Sequence, residues 1–210
     1  MYELYVITDE AIAGGLSHAE IAQRAIAGGA DVIQLRDKTC GCPELCRVGR
    51  VLRAITKKTG TLFIVNDRLD VALSCGADGV HLGQDDMRAG IARQIAPPGF
   101  IIGVSVGSVD EAVKAEQEGA DYIAISPVFS TASKTDAGSG HGPGLIREIR
   151  QHVSVPVIAI GGVNRDNVND IIRAGADGVA VISAVVGSPD ITKAARELKK
   201  LVSESREAIR

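Results

Sequence analysis

The stretch Gln34-Leu35-Arg36-Asp37-Lys38 carries an amide, a guanidinium and an ammonium at alternate positions of a segment that reads as the end of a strand. Side chains alternate across a strand, so Gln34, Arg36 and Lys38 share one face while Ile33 and Leu35 share the other. Two cations on one face, with no carboxylate beside them there, suit an anion with several oxygens, such as a phosphate or diphosphate. Asn66-Asp67-Arg68 and Gln84-Asp85-Asp86 put acidic groups where two further apolar runs end. Carboxylates next to an anion cradle suit Mg2+ held between protein and phosphate oxygens. Asp85 or Asp86 is equally a candidate to cap the helix that follows, and with two of them one can cap while the other binds metal. Ser105 ends another strand with a hydroxyl in reach of the same anion.

Ile160-Gly161-Gly162 and Ile182-Ser183 close two later apolar runs, where backbone amides offer a second phosphate site. No Ser-His-Asp or Cys-His arrangement is evident, and no side chain stands out as a nucleophile or tuned base. Cations and a metal stabilise a departing negative charge, so the inventory suits a transferase from which pyrophosphate leaves and which takes two phosphorylated ligands.

These strand ends must be brought to one place. Gly-Ala-Asp precedes an apolar run four times, with its alanine at 30, 77, 120 and 176. Intervals of 43 to 56 residues are too long for one strand-helix unit and right for two. Each copy follows an amphipathic stretch, so its glycine can end a helix in the left-handed conformation. Four copies at two units each give eight, the count of a closed parallel (βα)8 TIM barrel rather than an open doubly wound sheet. The eight strands are expected at 4–8, 31–36, 62–65, 79–82, 101–104, 122–125, 157–160 and 178–182. Ser17 is expected to cap the first helix, the sixth helix to run from about Gly144 to His152, and the last to lie within 189–209. The alternation never breaks, so residues 1–210 read as one barrel domain. Between Pro127 and Gly144 lies a long polar, glycine-rich connection holding Thr131, Ser133 and Lys134, which reads as a lid.

The chain has 210 residues, 45% hydrophobic and only 3% aromatic, so its core must be built from Ala, Val, Ile and Leu. A net charge of −3 gives no global field for nucleic acid or an anionic membrane, and any anion site must be local. The polar, acidic start does not read as a signal peptide, and no apolar run reaches membrane-span length, so the cytoplasm is the expected compartment. Cys40-x-Cys42-x3-Cys46 lacks an evident fourth ligand and reads as a loop and helix start that happen to carry thiols.

The blocks YVITD, QLRDK, VNDRLDVAL, GADGVHLGQDD, GVS, EGADYIAISPVFSTASK, PVIAIGGV and AGADGVAVIS follow one another at compatible spacing. With them the chain resembles the thiamine-phosphate synthase family along nearly its whole length. The resemblance implies coupling of 4-amino-5-hydroxymethyl-2-methylpyrimidine diphosphate to a thiazole phosphate, by Mg2+-assisted, dissociative loss of pyrophosphate. By position it implies that Gln34, Arg36, Lys38, Asn66, Ser105 and Lys134 hold the pyrimidine diphosphate, with Arg36, Lys38 and Lys134 catalytic. Leu35, Asp37 and Ala132 belong to the same binding segments. Asp67 and Asp86 would bind Mg2+, and Thr131, Ser133, Gly162, Ile182 and Ser183 would contact the thiazole phosphate. The partners expected are these small phosphorylated substrates and, as a possibility the sequence leaves open, further copies of the chain.

Two departures stand out: Ser130-Thr131-Ala132-Ser133-Lys134 replaces the family's Pro-Thr-x-Thr-Lys, and Gly107 stands where a histidine is common. The related thiazole tautomerases use a histidine near that point, so its absence counts against an isomerase. A barrel that binds thiamine-related phosphates for regulation is the third reading.

Overall fold

In the computed structural model, which describes residues 2–131 and 140–209, eight parallel strands close into a barrel in sequence order. They are β1 (Leu4–Ile7), β2 (Val32–Leu35), β3 (Leu62–Asn66), β4 (Gly79–Leu82), β5 (Ile101–Val106), β6 (Tyr122–Ile125), β7 (Val157–Ile160) and β8 (Gly178–Val181). Each pairs with the next, and β8 pairs with β1. The helices between and after them are α1 (His18–Ala27), α2 (Cys42–Thr59), α3 (Leu69–Cys75), α4 (Ala89–Ile95), α5 (Val109–Gln117), α6 (Gly142–Arg150), α7 (Val168–Arg173), α8 (Ser183–Val186) and α9 (Ile191–Glu207).

All eight expected strands are present, with ends shifted by up to two residues. Two differences bear on the site. The turn α8 directly after β8 was not foreseen, because four residues are too few to show a helical period. The sixth helix starts two residues earlier than expected, at Gly142.

Ser17 caps α1 with a full capping box: it accepts from the Glu20 amide, and the Glu20 carboxylate accepts in return from the Ser17 amide. Strand residues alternate between two cores. Ile33, Leu35, Phe63, Val65, Ile123 and their like pack outward on the helices, while Tyr5, Ile7, Val32, Ile64, Tyr122 and Ile158 fill the barrel. No helix among the described residues is long and apolar enough to cross a membrane.

The Gly-Ala-Asp repeat is a structural clamp on the rim where strands begin. Its glycines, 29, 76, 119 and 175, all have φ between 68° and 108°, the left-handed region that ends the preceding helix. Its aspartates each do two things. Asp31, Asp78, Asp121 and Asp177 accept the amide of Leu4, Phe63, Ile102 and Val157, the residues that lead into the neighbouring odd-numbered strand, at 2.7–2.9 Å. Each also pairs with a helix cation: Lys199, Arg53, Arg93 and Arg150 respectively. Asp177→Ala removes both bonds and strands the Val157 amide. It is expected to cost about 1–3 kcal/mol, or about 2–4 °C of Tm per kcal/mol, with substrate binding unchanged at the far rim. Thermal unfolding together with a ligand titration checks this.

Candidate active site

At the opposite rim the strand ends converge on a cavity of about 330 Å3. Arg36 and Lys38 reach it from β2, Asn66 and Asp67 from β3, Asp86 from the β4–α4 turn, and Ser105 from β5. A second, narrow cleft is lined by Thr131, Gly162, Ile182 and Ser183. Ser126 and Pro127, which follow β6, form a wall common to both.

Asp67 turns β3 out into its loop with φ +63°, a conformation that Asp and Asn tolerate better than most residues. Its amide donates to the His81 carbonyl at 2.8 Å, which fixes the turn against β4. Asp86 is oriented by its own loop, accepting the Gly83 amide at 2.7 Å. Neither Asp85 nor Asp86 caps α4, whose cap position is Arg88 with no side-chain bond.

The Asp67 and Asp86 carboxyls meet side by side. Burial first, then the neighbouring Asp86, push the Asp67 carboxyl up to about 6, against the opposing pull of Lys38 and Arg36. A cation between them would relieve that strain. Among the described residues no group of three His, Cys, Asp or Glu side chains is placed to hold a metal ion. The protein therefore offers two carboxylates and leaves the remaining positions to water or ligand oxygens, which is the habit of Mg2+ rather than of a caged metal.

Several expected site residues sit elsewhere. Gln34 does not line the cavity: it lies 2% exposed inside the barrel, where its Nε2 donates to the Tyr5 hydroxyl at 2.8 Å. Leu35 packs in the outer core, so its side chain faces the helices and not the mouth. Asp37 turns away to close the β2–α2 loop, accepting from the Thr39 amide and hydroxyl and from the Cys40 amide. Those bonds outweigh its burial and hold its carboxyl well below the usual carboxylate range. The cations of β2 do have a carboxylate nearby, because Asp9 of the β1–α1 loop meets Arg36 at 3.4 Å. Ala132, Ser133 and Lys134 of the expected lid lie outside the described residues.

The structure also adds Tyr5, Tyr122 and His81, which the sequence did not single out and which link Gln34 to Ser105. Gln34, Tyr5, Tyr122, His81 and Ser105 form one hydrogen-bonded chain, each link 2.8–2.9 Å. With Gln34 donating and every hydroxyl proton used once, the chain runs one way. Tyr5 donates to Tyr122, Tyr122 to His81 Nδ1, and His81 Nε2–H to Ser105 Oγ. The Ser105 proton is then turned toward the cavity as a donor. Burial pushes both tyrosine hydroxyls up, so they stay protonated and the chain keeps its direction.

Gly161 and Gly162 have a packing reason of their own. A Cβ on them would come within 2.5 Å of Pro127 and 2.7 Å of Phe129 and Ser130, so the close approach of the segment after β6 requires glycine. At Gly107 a Cβ would lie 3.3 Å from Nε2 of His141, which places an imidazole against this wall from a different loop.

A family model described as thiamine monophosphate synthase matches residues 4–185. The chain belongs to the thiamine monophosphate synthase family. A thiamine-phosphate synthase from Methanoregula boonei is 64% identical over 208 residues, covering 99% of this chain and 96% of its own. One from Methanocella arvoryzae is 58% identical over 205 residues, covering 98% and 97%. Among solved structures, thiamine phosphate pyrophosphorylase from Pyrococcus furiosus superposes with a TM-score of 0.90 at 45% identity, covering 97% of this chain and 96% of that one. Membership in the thiamine monophosphate synthase family thus spans the barrel and both cavities.

Proposed function

We propose that this chain is a thiamine-phosphate synthase that joins the pyrimidine diphosphate to the thiazole phosphate and releases pyrophosphate. The observation that carries the reading is the pair of unlike cavities with one shared wall. The first is lined by two cations and by carboxylates that include Asp67 and Asp86, the second by glycine and hydroxyl groups among apolar residues, and Ser126-Pro127 stands between them. Arg36 and Lys38 hold the diphosphate oxygens, and the Ser105 hydroxyl donates to the pyrimidine end. Asp67 and Asp86 would hold Mg2+, which when bound neutralises charge on the diphosphate.

The C–O bond to the pyrimidine methylene breaks with both electrons going to the diphosphate. The thiazole ring nitrogen, held over the shared wall with its phosphate at Gly162 and Ser183, then supplies the pair for the new C–N bond. No proton changes hands in either step, which accounts for a site rich in charge yet without a dedicated base. The second cleft is narrow, about 30 Å3, so the thiazole ring occupies the space it shares with the first cavity. Phosphorylated metabolites as substrates fit a cytoplasmic enzyme.

An assay with both phosphorylated substrates tests the reading. Thiamine phosphate and pyrophosphate are expected in equal amounts, and only when Mg2+ is present. Binding of both ligands without product would overturn it in favour of a regulatory barrel.

A further inference from the structure

A separate cavity of about 380 Å3 lies between α1 and α2, bounded by the β1–α1 and β2–α2 loops. Its polar end is made by His18, Glu10 and Asp37, and its wall by Ala19, Leu45, Val48 and Val51. His18 is 3% exposed, and its Nε2 is a buried atom with no hydrogen-bond partner.

The neighbours of His18 fix what that atom is. The Thr8 hydroxyl lies 3.2 Å from the Gln34 carbonyl and 2.7 Å from His18 Nδ1, and with its proton assigned to the carbonyl it accepts from Nδ1. Nδ1 carries the hydrogen, and Nε2 presents a bare lone pair. That lone pair faces Asp37 Oδ2 at 3.6 Å and Glu10 Oε1 at 3.8 Å. Asp37 Oδ2 and Glu10 Oε1 thus face the ring nitrogen as two charged acceptors, Glu10 Oε1 also taking the His18 amide at 2.9 Å.

The rest of the cavity does not cancel this charge. Arg47, its one cation, is engaged by Glu44 through two bonds of 2.6 and 2.9 Å. The local negative potential registers on Cys40, whose thiol is pushed up by its bond to Asp37, by burial and by the charges of Asp37, Glu44 and Glu10.

We propose that this cavity binds a small organic cation with a primary ammonium head and an apolar body. An –NH3+ group has three donors for the three acceptors, and the aliphatic wall takes the carbon chain. The volume exceeds what a bare ion needs, and these groups are not spaced to hold a metal.

The test uses the full chain and n-butylammonium chloride as probe, read by the imidazole 1H–15N correlation of His18. The expected result is a saturable shift of Nε2, with the methyl groups of Leu45, Val48 and Val51 moving together. Affinity is expected to fall at least about ten-fold in Asp37→Asn and in Glu10→Gln, and to be lower by a similar factor for n-butanol, which has the body without the charge. Equal binding of n-butanol would overturn the proposal, as would an Nε2 shift produced only by acidification or only by Zn2+. A spectrum unchanged by butylammonium would overturn it too.

Discussion

Asp67→Asn and Asp86→Asn are each expected to lower kcat by at least about 100-fold at saturating substrates, with the fold intact. Under the proposed function, several kcal/mol of transition-state stabilisation would depend on a metal held by these carboxylates beside the departing pyrophosphate. Asparagine is the informative substitution at both positions. At 67 it tolerates the φ of +63°, so backbone strain does not enter the result. At 86 its carbonyl oxygen still accepts the Gly83 amide, now made at 2.7 Å, so the loop keeps its shape. Either change also removes one of two adjacent like charges, so Tm of the metal-free protein is expected not to fall. Initial rates across a Mg2+ series, with thermal unfolding alongside, check both points. Turnover near wild type in both variants at every Mg2+ concentration would remove the metal assignment.

Arg36→Met is expected to lower kcat/KM by about 100- to 1,000-fold, the range found when one preorganised donor to a developing charge is lost. Arg36 is largely buried and meets Asp9 at 3.4 Å, a loose contact that leaves the guanidinium fork for a diphosphate under the proposed function. The substitution also leaves Asp9 without its cation at the rim. Asp9→Asn separates the two contributions: it relaxes Arg36 without removing it, and kcat/KM is expected to stay within about ten-fold of wild type. The double variant should then resemble Arg36→Met. Steady-state kinetics on the four proteins form the cycle, and a large loss in Asp9→Asn alone would show that orientation of Arg36, and not its charge, carries the effect.

The scaffold was legible because its signals are local. A left-handed glycine, a small residue and an aspartate at a strand start act within a few residues of themselves, so the four Gly-Ala-Asp copies count the strands without any knowledge of the third dimension. The strand ends then name Arg36, Lys38, Asn66, Asp67, Asp86 and Ser105, because a parallel barrel brings all its carboxyl ends to one rim. The sequence alone determined that much: the barrel, the rim that carries the chemistry, and the family.

Depth and partnership were decided only by the tertiary structure. Alternation puts Gln34 on the inner face but does not say how far below the mouth it sits. The register of β1 against β2 does, by placing Tyr5 within 2.8 Å of its amide. The same closure joins β1, β2, β4, β5 and β6 through Gln34, Tyr5, His81, Ser105 and Tyr122, residues separated by up to 117 positions in the chain. Asp37 lies between two cavity-lining cations and faces away from them, as alternation carried past the strand end requires, but that it meets Thr39 and Cys40 there was set by the loop. His18 reads from sequence as a residue after a helix cap, and only the packing of α1 against the loops after β1 and β2 aims its lone pair at two carboxylates. Local patterns specify which way a residue faces on its own element. What it meets there depends on other elements, whose positions are set by closing the barrel.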